Sequence, residues 1–326
     1  MKFYFAPMEG ITGYVYRNLF HSYFKDIDKY FTPFIVGNKK ASMKARELKD
    51  VLPENNAGLP IVPQLLTNNA EEFINTARRV EQFGYKEINL NLGCPSGTVV
   101  SKGRGSGFLA YPDRLDAFLE EVFDALGDMQ ISIKTRLGKD SVSEFEDILK
   151  IYKKYPLHEL IIHPRIQKEL YSGMPHYEEF EKAYKECPFP VCYNGDIFTV
   201  EKYEAVVKKF PKLDCVMLGR GLLANPFLLE QIHGRKGMTA EFVTEFYERL
   251  YEEYRKVLSG DRDVLFKMKE LWSYQTWMFE DDGKYIKAIR KAQSKDEYRC
   301  AVRSLVVNCP VIENAGLFSR KLSPGM

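Results

Sequence analysis

The feature that most constrains this chain is an eightfold alternation. Short apolar runs at residues 2–6, 30–36, 61–65, 87–91, 130–135, 159–163, 191–194 and 214–218 read as strands. Amphipathic stretches between them, at 70–83, 112–126, 143–155, 176–185 and 200–210, read as helices. In the first of these Phe73, Ala77, Val80 and Phe83 share a face. Ser141-x-x-Glu144 predicts a capping box for another. Eight strand–helix units over about 230 residues have the count and length of a (β/α)8 barrel. An open doubly wound sheet is the alternative, but no GxGxxG follows the first strand. The expected fold is therefore α/β: a TIM barrel over residues 1–235, then a small helical domain over 238–326.

Composition narrows the class of protein. The six cysteines (94, 187, 192, 215, 300 and 309) are scattered, with no CxxC pair, which predicts reduced thiols in the cytoplasm and no metal site. Residues 3–8 are too short for a signal-peptide core, and no apolar run is long enough to span a membrane. A net charge of +2 neither demands nor excludes a nucleic acid, so any basic patch must be local.

In such barrels the chemistry sits at the C-terminal ends of the strands. Those ends read Ala6-Pro7-Met8-Glu9-Gly10, Gln64, Asn91-x-Gly93-Cys94, Lys134-Thr135-Arg136, His163-Pro164-Arg165, Asn194-Gly195-Asp196 and Gly219-Arg220-Gly221. Gly93 and Pro95 stop the fourth strand abruptly and set one thiol on the rim. Cys94 is then either a group aimed at a ligand or a small apolar filler. The glycines of the last two ends, with Arg220, suit a phosphate, although tight turns use the same residues. His163 is either a ring or phosphate contact or a satisfied barrel histidine.

Taken in order, Ala6-Pro7-Met8-x-Gly10-Ile11-Thr12, Gln64, Asn91-Leu92-Gly93-Cys94-Pro95, Lys134-Thr135-Arg136, Asn194-Gly195-Asp196 and Gly219-Arg220-Gly221 resemble the FMN-dependent tRNA-dihydrouridine synthase family. The resemblance spans the whole chain. It implies tightly bound FMN held by Pro7, Met8, Glu9, Gln64, Lys134, His163, Asn194, Gly195, Asp196, Gly219 and Arg220. Cys94 would be the proton donor, and Asn91, Arg136 and Arg165 would face the substrate. Hydride would pass from the reduced flavin to C6 of a uracil, with Lys134 stabilising the anionic flavin and NADPH as reductant. A stacked target base would have to be extracted from the RNA. Gly13 stands where the family usually has Asp, and Pro164 replaces the common Gly after His163.

Beyond residue 237 the alternation stops. Thr239 is expected to cap a long helix with Phe242, Phe246, Leu250, Tyr254 and Val257 on one face, closed by Gly260. A second helix over 264–279 carries Met268, Leu271, Trp272 and Gln275. Two more follow Gly283, the last opened by the box Ser294-x-x-Glu297. Trp272 and Trp277 read as core. Basic residues dominate from 284 to 303, either as a solvated face or, beside an RNA-modifying barrel, as phosphate contacts through Lys287, Lys291, Arg299 and Arg303. The expected partner is tRNA, with ribosomal RNA as the alternative, for a monomer that does not engage membranes. Rival readings are a free-pyrimidine FMN oxidoreductase of the dihydroorotate or dihydropyrimidine dehydrogenase kind and a catalytically idle RNA-binding flavoprotein.

Overall fold

All eight apolar runs form strands in the computed structural model, which describes residues 1–312 except 236, 281 and 282, and not the side chain at 277. Two of the runs are interrupted, giving ten parallel segments among the described residues. These are β1 (Lys2–Phe5), β2 (Lys29–Phe31), β3 (Ile35–Val36), β4 (Ile61–Val62), β5 (Gln64–Leu66) and β6 (Glu87–Leu92), then β7 (Gln130–Arg136), β8 (Glu159–His163), β9 (Val191–Tyr193) and β10 (Cys215–Leu218). Pro33 and Pro63 lie in the two interruptions, where a residue without an N–H cannot serve the ladder. β1 pairs with both β10 and β2, β2 with β4 and β3 with β5. Counting β2/β3 and β4/β5 as one strand each, the pairing closes a ring of eight, the expected barrel.

The described residues form two compact units: 1–195 with 210–218, and 196–209 with those from 219 onward. The first holds the ring with α1 (Tyr14–Tyr23), α2 (Ala45–Val51), α3 (Ala70–Glu81), α4 (Gly97–Val100), α5 (Pro112–Ala125), α6 (Glu144–Tyr152) and α7 (Tyr177–Glu186). As the 3.6-residue period requires, α3 buries Phe73, Ala77 and Val80. The capping box before α6 is only half made. Glu144 accepts from the N–H groups of Lys139 and Ser141 (2.7 and 2.9 Å), while Ser141 Oγ turns to Ser143 instead.

Register decides what faces the lumen. Gln64 lies beside Asn89, Asn89 beside Ser132, and Asn91 beside Lys134. Tyr4, Ala6, Phe31, Val62, Ile161, Cys192, Cys215 and Met217 form an apolar cluster. The polar side chains form a ladder. Asn91 Nδ2 donates to Gln64 Oε1 (2.7 Å), Gln64 Nε2 to Asn89 Oδ1 (2.8 Å), Asn89 Nδ2 to Ser132 Oγ (3.0 Å), and Ser132 Oγ to Glu87 Oε1 (2.8 Å). Lys29 completes the foot at 2.7 Å from Glu87. Buried amides are tolerated only when paired in this way.

The second unit contains α8 (Val200–Lys209), α9 (Arg220–Ala224), α10 (Leu228–Ile232), α11 (Ala240–Val257), α12 (Asp261–Gln275), α13 (Lys284–Lys291) and α14 (Lys295–Asn308). Thr239 caps α11 through Phe242 N–H at 3.2 Å. Gly260 does not close that helix. α11 ends at Val257, and Gly260 is instead the N-cap of α12, which stops at Gln275 before a single turn at Thr276–Met278. Trp272 is core, its Nε1 donating to Tyr298 Oη at 2.7 Å; the Trp277 side chain lies outside the described residues. Ser294 accepts from Glu297 N–H, but Glu297 accepts from Gln293 N–H, one residue before the cap. No helix among the described residues is long and apolar enough to cross a membrane.

Asn89→Leu should break the ladder at its middle and leave a buried amide unsatisfied. The expected loss is about 1–3 kcal/mol of unfolding free energy, read as a lower urea midpoint at unchanged slope. An unchanged midpoint would mean the ladder adds nothing to the barrel.

Candidate active site

The end of β6 is clamped on every side. Asn91 Oδ1 accepts from Gly93 N–H (3.1 Å) and Cys94 N–H (2.9 Å), while Gln64 fixes the orientation of the Asn91 amide. The Cys94 carbonyl accepts from Ser106 N–H (3.1 Å) and Ser106 Oγ (2.8 Å), and Arg136 Nε donates to the Gly93 carbonyl at 3.0 Å. Gly105 makes the approach of the two segments feasible. Its φ is +56°, and a Cβ there would stand 2.7 Å from the Cys94 carbonyl oxygen and 3.1 Å from Cys94 Cβ.

Within this clamp, burial pushes the half-buried Cys94 thiol up from its ordinary range. A backbone hydrogen bond at Ser96 opposes the shift, Glu9 adds to it, and Arg136 and Lys134 counter it. A thiol raised in this way stays protonated at neutral pH and is available as an acid. Lys134, across from Asn91 in register, shows the converse. Burial pulls its ammonium down to about 8, helped by Arg136, and it makes no hydrogen bond or ion pair with any described residue. A desolvated cation without a counter-charge is a place for an anion.

The two arginines expected on the substrate are engaged elsewhere. Arg165 is fully buried; its Nε and Nη2 donate to the carbonyls of Ser172 (3.0 Å) and Gly173 (2.6 Å). Its Nη1 lies 3.0 Å from His163 Nε2. A guanidinium only donates, so Nε2 accepts and the imidazole proton belongs on Nδ1. Arg136, 1% exposed, donates from Nη1 to Ile166 O at 3.0 Å, with its guanidinium 5.4 Å from the Tyr171 ring. Tyr171 also stacks on His163 with centroids 6.1 Å apart. Both arginines therefore tie down the loop after β8. Asn91 likewise spends Oδ1 on the Cys94 turn, so its observed task is to position the thiol.

Met8 N–H donates to Thr12 Oγ1 (2.8 Å), beside half-buried Pro7, and Glu9 pairs with Arg46. Asn194 Nδ2 donates to Met217 O at 2.8 Å, and a Cβ on Gly195 would lie 3.2 Å from Tyr193 Oη. In the second unit Gly219 is the N-cap of α9, and Arg220 Nη2 lies 2.7 Å from Asp196, whose φ is +44°. In the same unit Lys287, Lys291 and Arg303 are exposed, without ion pairs among the described residues. Arg299 differs from that expectation. Its Nε donates to Glu248 at 2.7 Å and its Nη2 reaches Glu252 at 3.4 Å, so it bridges α14 to α11. Sequence reasoning misses Gly105, Ser106 and Tyr171. The glycine-rich run around Gly105 is a signal for the first two, whereas a loop tyrosine has none.

The family described as dihydrouridine synthase matches residues 4–303. A probable tRNA-dihydrouridine synthase of Staphylococcus aureus strain COL is 31% identical over 237 residues, covering 70% of each chain. The tRNA-dihydrouridine synthase B of Vibrio vulnificus strain CMCP6 is 27% identical over 265 residues, covering 81% of this chain and 80% of that protein. Among solved structures, histamine dehydrogenase from Rhizobium sp. 4-9 shares the fold, with a TM-score of 0.54 at 11% identity over 96% of this chain and 63% of that one. With the family match running through nearly all of the barrel and most of the helices after it, the chain belongs to the dihydrouridine synthase family.

Proposed function

We propose that the protein reduces the C5–C6 double bond of specific uridines in tRNA to 5,6-dihydrouridine, with FMN as bound cofactor and NADPH as its reductant. The observation that carries this reading is the clamped, protonated thiol of Cys94 on the same rim as the unneutralised ammonium of Lys134. The rim fits a flavin because Lys134 offers an anionic ring system a cation that no carboxylate among the described residues neutralises. When bound, the flavin supplies the hydride that goes to C6.

The chain's own residues do the rest. Cys94 Sγ holds the proton destined for C5, and Asn91 and Ser106 keep the thiol from drifting out of line. Pro7, Met8, Gln64, Lys134 and His163 are the candidates for the ring. The phosphate end is assigned from sequence order alone, to Asn194, Gly195, Asp196, Gly219 and Arg220. Lys287, Lys291 and Arg303 are assigned to RNA phosphates on their exposure. The relatives' names support tRNA as substrate, and action on tRNA goes with a cytoplasmic location.

Cys94→Ala should retain flavin and its reduction by NADPH while dihydrouridine formation falls by about 10²–10⁴-fold, the usual value of a general acid. Product measured at near wild-type rate would mean another group delivers the proton.

Gly105→Ala tests the clamp without touching the thiol. The added methyl must displace the Cys94 carbonyl, and misplacement of about 1 Å can cost up to about 10²-fold. Single-turnover dihydrouridine formation should slow by about 10- to 10²-fold with flavin content preserved. A wild-type rate would show that the position of Cys94 is not critical.

A further inference from the structure

The C-terminal rim above β2/β3, β4/β5 and β6 carries a cationic surface that the site does not use. Between residues 38 and 49 five cations stand against one carboxylate, Glu47. Their loop is stitched to the scaffold through its backbone. Asn38 Nδ2 donates to Ser42 O (2.6 Å), Asn75 Nδ2 to Lys39 O (3.2 Å) and Arg79 Nη1 to Ala41 O (2.9 Å). The side chains of Lys39, Lys40 and Lys44 are left exposed.

The loop after β6, which carries Cys94, is drawn into the same sector. Asn68 Nδ2 donates to the carbonyls of Lys102 and Gly103, both at 3.1 Å, and Lys102 is exposed. Gly37 packs so closely on the turn after β5 that a Cβ would lie 2.9 Å from Thr67 Cβ. Loops from three neighbouring strands are thus fixed to one another and to the scaffold, and the last of them carries Cys94.

Among the described residues, nearby carboxylates pair Arg46 but leave Lys40, Lys44 and Lys102 without an ion pair. Glu9 is taken by Arg46, Glu72 by Thr67 and Arg104, and Glu47 by Lys44 N–H at 2.9 Å. Lys39 and Glu71 approach to 3.4 Å, but both are exposed and such a pair is weak. Lys40, Lys44 and Lys102 have no ion pair among the described residues. A small uncharged substrate gives no reason to hold these cations in place, whereas an RNA backbone does: fixed loops lose little entropy on binding, and each phosphate neutralised releases counterions.

We propose that Lys39, Lys40, Lys44 and Lys102 form a phosphate-binding rim that grips the RNA backbone flanking the target nucleotide; this rests on the RNA-modifying reading above. The test is the affinity of unmodified tRNA transcript for the flavin-loaded protein across a salt series. Wild type is compared with variants carrying Gln, or Arg, at all four positions, and thermal midpoint and flavin content report folding. The Gln variant should bind more weakly, with a log–log salt slope shallower by about 0.7–0.9 for each phosphate no longer neutralised, and the Arg variant should keep the wild-type slope. A Gln line superimposable on a binding wild type would overturn the rim alone. Weakened binding in both variants at unchanged slope would also overturn it, because the effect would not be electrostatic. A wild type that binds no RNA would overturn the rim and the functional reading together.

Discussion

The position of one thiol depends on one side-chain amide. Asn91 Oδ1 accepts the two N–H groups that end β6, and its Nδ2 is held by Gln64, so the amide can neither flip nor leave. Gln64 is in turn held by Asn89, Asn89 by Ser132, and Ser132 by Glu87. The polar ladder of the lumen therefore links packing to chemistry: the network that makes buried amides tolerable also fixes the direction of the reactive group.

Electrostatics at the rim follow from the same burial. Desolvation disfavours charge of either sign, so it raises Cys94 and lowers Lys134. One enclosure thus supplies, on neighbouring strands, a protonated acid and a cation with no ion pair among the described residues. Arg136 adds positive field to both groups, and it anchors loops around the site as Arg165 does.

Much of the barrel is legible in the sequence because strand runs, glycine stops and helix periods are local patterns. The polar strand ends mark the rim, and Gly93-Cys94-Pro95 marks the thiol. The family follows from the order of those motifs. What stays hidden depends on partners distant in sequence. Nothing local shows that Arg165 is sealed under its own loop by Ser172 and Gly173, or that Arg299 finds Glu248. An arginine at a strand end or on a basic helix reads as exposed until the chain that covers it is placed. Gly260 misleads because a glycine between two helices can end one or begin the next.

Cys94 is held as an acid, and the pH dependence of its alkylation reports this. Iodoacetamide labelling of Cys94, followed by mass spectrometry across a pH series, should have its midpoint above the free-thiol value of about 8.5. Asn91→Ala, which loosens the clamp, should move that midpoint back toward the free value. A midpoint at or below neutrality in the wild type would identify a standing thiolate and contradict the account.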